Sequence, residues 1–197
     1  MPFLPIFQEH SDSIFVKNLK ACITFRLVNG SAALDELIGV DLDNLVHTNN
    51  LLRHNMVVFT DGEKALQTLP PLVNIIPEAK LNLAIHYLRE NEIKEAEFLL
   101  KDLIADSSQE RLLKGVLKAT LAQMVGDNAM LKEAQSLFES VGESPSEADT
   151  IPGRIAQASA LFLEGRYTDA NVFLSSIESY LCKWSVNSSL FASSIIA

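Results

Sequence analysis

The sequence predicts an all-α fold, an α-solenoid of about five degenerate helical hairpins of the tetratricopeptide type. Three observations carry that prediction. Apolar residues recur at three- and four-residue spacings in pairs of segments, as helices with one buried face require. A short polar turn joins the two members of each pair. An alanine sits near the start of each second segment, at Ala33, Ala65, Ala96, Ala134 and Ala170, with spacings of 32, 31, 38 and 36 residues. A period scattered around the mid-thirties marks a tetratricopeptide array. One such hairpin cannot bury its apolar face alone, so the pattern calls for neighbours stacked on it.

The elements follow in order. Residues 1–13 read as a lead-in broken by Pro2 and Pro5. A first helix runs from Ile14 to Leu27, with Cys22 in the small-residue position and Phe25 in the aromatic one three residues later. Asn29-Gly30 is a turn signal, and Ala32, Ala33, Leu34 and Leu37 form the second helix. Gly39 to Asp43 links to a third helical pattern over about Leu45 to Phe59, closed by Asp61-Gly62. Ala65, Leu69 and Leu72 then occupy second-helix positions, but Pro70-Pro71 removes hydrogen bonds and clashes with the preceding turn. That helix should kink or break after Leu69.

Pro77 to Leu103 carries the clearest hairpin. Ala84 and Tyr87 mark the first helix, Glu90-Asn91-Glu92 the turn, and Ala96 and Leu100 the second helix. Ser107-Ser108 should cap the next helix before Glu110. Gly126-Asp127-Asn128 reads as a turn longer than the repeat norm, which predicts a splayed pair. Gly142 to Asp149 is small, polar and acidic and reads as an exposed loop. The last hairpin turns at Gly165-Arg166-Tyr167. From Lys183 the repeat pattern is lost, so the chain divides into a lead-in (1–13), a repeat array (14–182) and a divergent tail (183–197).

Composition narrows the function classes. Sixteen basic residues stand against 25 acidic ones, a net charge of −9, which opposes non-specific binding to nucleic acid or anionic lipid. No apolar run approaches the roughly 18 residues that span a membrane, and the N-terminus lacks the basic start of a signal peptide. These features predict a soluble intracellular protein without direct membrane insertion, and its two distant cysteines, Cys22 and Cys182, read as buried free thiols. No catalytic constellation is present. His10, His47, His54 and His86 have no metal-ligand partners at useful spacing. Asp41-x-Asp43 resembles the start of a calcium loop but has Val46 and Leu52 where the glycine and glutamate belong. No phosphate-cradling glycine loop occurs. The expectation is a non-enzymatic protein with no cofactor and no metal.

Three stretches go beyond a generic repeat: LKACITFRLVNG (Leu19 to Gly30), RHNMVVFTDGEKALQTLPPLVNIIPEAKLNLAIHYLR (Arg53 to Arg89) and SEADTIPGR (Ser146 to Arg154). On these residues, over about 11 to 181, the chain resembles the intraflagellar transport protein 56 family, also called tetratricopeptide repeat protein 26. The resemblance implies a scaffold or adaptor subunit of the intraflagellar transport B complex. Its partners would be other subunits of that complex and motility-related ciliary cargo. Its place would be the cilium or flagellum, the ciliary base and the cytoplasm. The family offers no enzymatic site to carry over. Its members are much longer, so the chain resembles an internal part of one, and residues 183 to 197 do not continue the family's next repeat.

The first helix of each hairpin should line the concave face of an array. That places Glu78, Leu81, Ile85 and Arg89, together with Ile155, Ser159 and Phe162, in a candidate partner-binding groove. The competing reading is that Leu81, Ile85 and Phe162 pack against neighbouring helices while Arg89 is solvated or pairs with Glu92 or Glu95. A different function, a co-chaperone-like module gripping an acidic peptide terminus, needs Lys, Arg and Asn on successive inner helices. A third is a fragment without function, whose uncovered end recruits chaperones.

Overall fold

The computed structural model describes residues 13–40 and 49–184. The expected lead-in, the link around Gly39 to Asp43 beyond residue 40, and the tail from residue 185 lie outside them. The described residues form helices and turns with no strand, and the fold is an all-α array of helical hairpins. The chain divides into two compact units between Asn82 and Leu83, inside one helix.

The first unit opens with α1 (Ile14–Leu27), α2 (Gly30–Asp35) and α3 (Asn50–Phe59). Ala21, Phe25, Ala33, Leu37, Leu52 and Phe59 pack into one core, with the Phe25 and Phe59 rings 5.3 Å apart. The fully buried small residue on α1 is Ala21, one position before Cys22, which is only half-buried. Asn29 closes the turn by accepting from the Ala32 N–H. Gly30 follows at a close crossing, where any Cβ would run into the Phe59 carbonyl.

α3 begins at Asn50 and not at Leu45. Asn49 is extended and its side chain caps the Leu52 N–H, so the helix cannot continue backwards through it. Asp61, Gly62 and Lys64 all take left-handed backbone in the following turn. α4 (Ala65–Thr68) then gives way at Leu69 to a 3₁₀ turn over Pro70–Leu72, the expected break.

α5 (Pro77–Arg89) crosses into the second unit, which continues with α6 (Ile93–Leu100), α7 (Ser108–Val125), α8 (Asn128–Gly142), α9 (Ile151–Leu163) and α10 (Tyr167–Trp184). Its core holds Leu112, Ala134, Phe138, Val141, Ala156 and Ala160, continued by Ala158, Leu161 and Ala170. All five anchoring alanines are buried.

The α7–α8 pair does not splay. Gly126 ends α7 with φ 73°, and Asp127 immediately caps α8 by accepting from the Ala129 and Met130 N–H groups. The chain therefore reverses in two residues and the helices pack along their lengths. Gly142 belongs to the end of α8 and is buried against Gln157, so the loop proper begins at Glu143.

Candidate partner groove

α5, α7 and α9, the first helices of successive hairpins, turn side chains to one face of the second unit. Ile85, Leu88 and Arg89 from α5, Leu112, Leu113 and Val116 from α7, and Pro152, Ile155 and Ser159 from α9 enclose a cavity of about 300 Å³ over the ring of Phe138. A second cavity of about 300 Å³ adjoins it, sharing Val116, Phe138 and Ser159 and extending past Phe162 to Ala170 and Leu174.

Sequence and packing explain why these side chains meet. Ile155, Ser159 and Phe162 lie at i, i+4 and i+7 on α9, one stripe of a helix. Gly115 lets α7 lie close to α8, since a Cβ there would stand 2.7 Å from the Phe138 Cε1. Phe138 is thereby held under both cavities. The Ser159 hydroxyl is committed to the Ile155 carbonyl at 2.8 Å, so it adds little polarity. Phe162, 56% exposed, stacks tilted on Tyr167 with ring centroids 5.2 Å apart.

Of the predicted groove residues, Ile85, Arg89, Ile155 and Ser159 line the first cavity, and Ser159 and Phe162 the second. Glu78 is exposed and Leu81 half-buried; both precede the unit boundary and line neither cavity. Sequence reasoning missed the rest of the lining, Leu88, Val116 and Phe138 among it. Val116 was available to the same first-helix reading, applied to the hairpin between the two that supplied the prediction. Phe138 comes from a second helix and was legible only as core.

The lining is mainly apolar, with Thr120, Gln123 and Ser159 as its uncharged polar members and Arg89 as its one charged residue among the described residues. Among the described residues no three His, Cys, Asp or Glu side chains cluster to hold a metal ion. No described helix is long and apolar enough to cross a membrane. The surface can seat apolar side chains; it presents no nucleophile paired with a base.

Comparison with known proteins places this arrangement. The sequence model of the family described as Intraflagellar transport protein 56 matches residues 4–195. That is wider than the motif-bearing stretch of about 11 to 181 and takes in most of the tail. A curated relative from Caenorhabditis elegans, "Intraflagellar transport protein 56 homolog", is 32% identical over 188 residues, covering 86% of this chain and 33% of its own length. The chain thus spans about a third of the relative it matches. With residues 4–195 inside the family match, the chain belongs to the Intraflagellar transport protein 56 family.

Proposed function

We propose that this chain serves intraflagellar transport as a non-enzymatic scaffold that docks other transport components through the groove of its second unit. Membership of the family supports the transport role and an association with the cilium or flagellum. The finer assignment is that its partners are subunits of the intraflagellar transport B complex and ciliary cargo proteins, met at the ciliary base, in the cytoplasm and along the axoneme.

The observation that carries the docking role is the pair of adjoining apolar cavities lined by first helices. Two pockets that share Val116, Phe138 and Ser159 suit a partner segment with two bulky apolar side chains. A co-chaperone clamp for an acidic terminus needs cations on successive inner helices, and here α7 and α9 contribute only uncharged lining.

The test is purification of the tagged chain from ciliated cells, with and without Val116→Asp. Val116 is 39% exposed, so the substitution burdens the groove more than the core. Near-stoichiometric B-complex subunits with the parent chain and their loss with the variant are expected. Recovery of chaperones alone, or equal recovery by both proteins, overturns the proposal.

A further inference from the structure

The loop that joins α8 to α9 sets a serine among acids. Residues 143–149 read Glu-Ser-Pro-Ser-Glu-Ala-Asp. Glu147 follows Ser146 directly, Asp149 stands three residues on, and Glu143 three residues before. No lysine, arginine or histidine occurs between Lys132 and Arg154. Ser146 is exposed, while Val141 and Gly142 ahead of the loop and Gly153 behind it are buried. Its hydroxyl shares a hydrogen bond with the Ser144 hydroxyl at 3.0 Å. The turn around it is held by the Glu147 and Ala148 N–H groups, which donate to the Ser144 carbonyl at 3.0 and 2.8 Å. Both bonds lie outside the helices, so an enzyme can draw the serine out without unwinding α8 or α9.

The far half of the loop is pinned on α9. A Cβ on Gly153 would run into the Glu147 carbonyl, and the Thr150 hydroxyl accepts from the Gly153 N–H at 3.1 Å. Arg154, next along the helix, donates to Asp149 Oδ1 at 3.2 Å and to Ser176 Oγ on α10 at 2.8 Å. The first cation after Ser146 in the chain is thus already turned to the loop that carries it. Asp149 is 99% exposed, so its ion pair is weakly held and the carboxylate is open to a visiting enzyme.

We propose that Ser146 is a phosphorylation site for a serine kinase that reads acid after its target, and that Arg154 receives the phosphate. The kinase breaks the bond between the γ-phosphorus of ATP and its bridging oxygen, forms the bond from that phosphorus to Ser146 Oγ, takes the hydroxyl proton on its own base and releases ADP. Glu147 and Asp149 present the charge that a basic substrate cleft selects. Ser144 does not serve, being half-buried and followed by Pro145 in place of an acid. The product carries a charge of about −1.5 to −2 at pH 7 and outcompetes the single charge of Asp149 for the Arg154 guanidinium. Arg154 then leaves Ser176, and α9 and α10 lose a polar tie.

The test treats the folded 197-residue chain with casein kinase 2 and MgATP and maps the product by mass spectrometry. Phosphate is expected on Ser146, absent from Ser146→Ala and retained in Ser144→Ala. Glu147→Gln/Asp149→Asn should slow incorporation about tenfold. By phosphorus NMR the phosphoserine should titrate at lower pH than in a peptide of residues 139–153, because a cation favours the dianion. Arg154→Gln should erase that difference and Arg154→Lys should keep part of it, which keeps the test decisive if the glutamine variant misfolds. The same phosphopeptide should appear in the tagged chain purified from ciliated cells. Phosphate on Ser144 instead, incorporation into the loop peptide but not the folded chain, or an equal rate with the neutralised loop overturns the proposal. So does a titration identical to the peptide's, or the absence of phosphate on Ser146 in the chain from cells.

Discussion

Asn55 links α1 to α3 through polar atoms in the interior of the first unit. Its Nδ2 donates to Asn18 Oδ1 at 3.1 Å and to Cys22 Sγ at 3.3 Å. Asn82 Nδ2 donates to His54 Nε2 at 2.9 Å, which leaves the other imidazole nitrogen as the N–H that donates to Asn55 Oδ1 at 3.0 Å. Asn18, His54, Asn55 and Asn82 are all buried. Asn55→Ala strands the Asn18 carbonyl and the His54 N–H, and should cost about 2 kcal/mol in urea denaturation. If stability holds, water replaces the side chain and the network is dispensable. Burial also pushes the Cys22 thiol above its usual range, so it should react slowly with disulfide reagents at neutral pH. Apolar periodicity could not reveal this network, because buried asparagine and histidine look like solvent positions. On α3 the apolar Leu51 is 47% exposed, while the polar His54 and Asn55 are buried. The alanines were legible, since only a small residue fits a close helix crossing. Ala96→Leu and Ala170→Leu, at positions 0% and 4% exposed, should each cost about 1–3 kcal/mol by overpacking. Unchanged melting temperatures for both would break the repeat register.

At the level of elements, the ends of helices proved readable where a cap residue is itself the signal. Ser107 and Glu110 form a reciprocal box: the Glu110 N–H donates to Ser107 Oγ, and Glu110 Oε2 accepts from the Ser107 N–H at 2.8 Å. Those N–H groups, the Ser107 backbone first, hold the Glu110 carboxyl below its ordinary range. A lowered folded value means the box stabilises α7 above the unfolded carboxylate range and loses that contribution as pH falls through the folded one. Glu110→Gln keeps the hydrogen bonds without the titration. Its melting temperature should therefore fall less on acidification than the parent's; an identical acid profile would show that the carboxylate adds nothing. Ser107→Ala should cost about 1 kcal/mol. The break at Pro70-Pro71 was readable for the same local reason. The start of α3 and the tightness of the α7–α8 turn were not. In each, one residue outside the apolar pattern, Asn49 or Asp127, supplies its side chain as a cap and shifts the boundary.

Across the whole molecule, charge and apolar surface are distributed so that docking in the groove should resist salt. The net charge of −9 reads as solvated helix faces, while the groove of the second unit holds Arg89 as its one charged lining residue among those described. Less than a third of that lining was legible: first-helix periodicity found Ile85, Arg89, Ile155, Ser159 and Phe162. It could not find Phe138, whose place under both cavities depends on how closely Gly115 lets α7 approach. Burial of apolar side chains is indifferent to ionic strength or strengthened by it, whereas charge pairing is screened with a Debye length of about 10 Å at 0.1 M salt. Partners seated in the groove should therefore stay on the tagged chain through a wash at 0.5 M salt, a concentration of order several times physiological. Quantitative mass spectrometry of the proteins retained after the wash checks this, with Val116→Asp removing them. If the salt-resistant set survived Val116→Asp, docking would have to be reassigned to a surface other than the groove, because that residue borders both cavities.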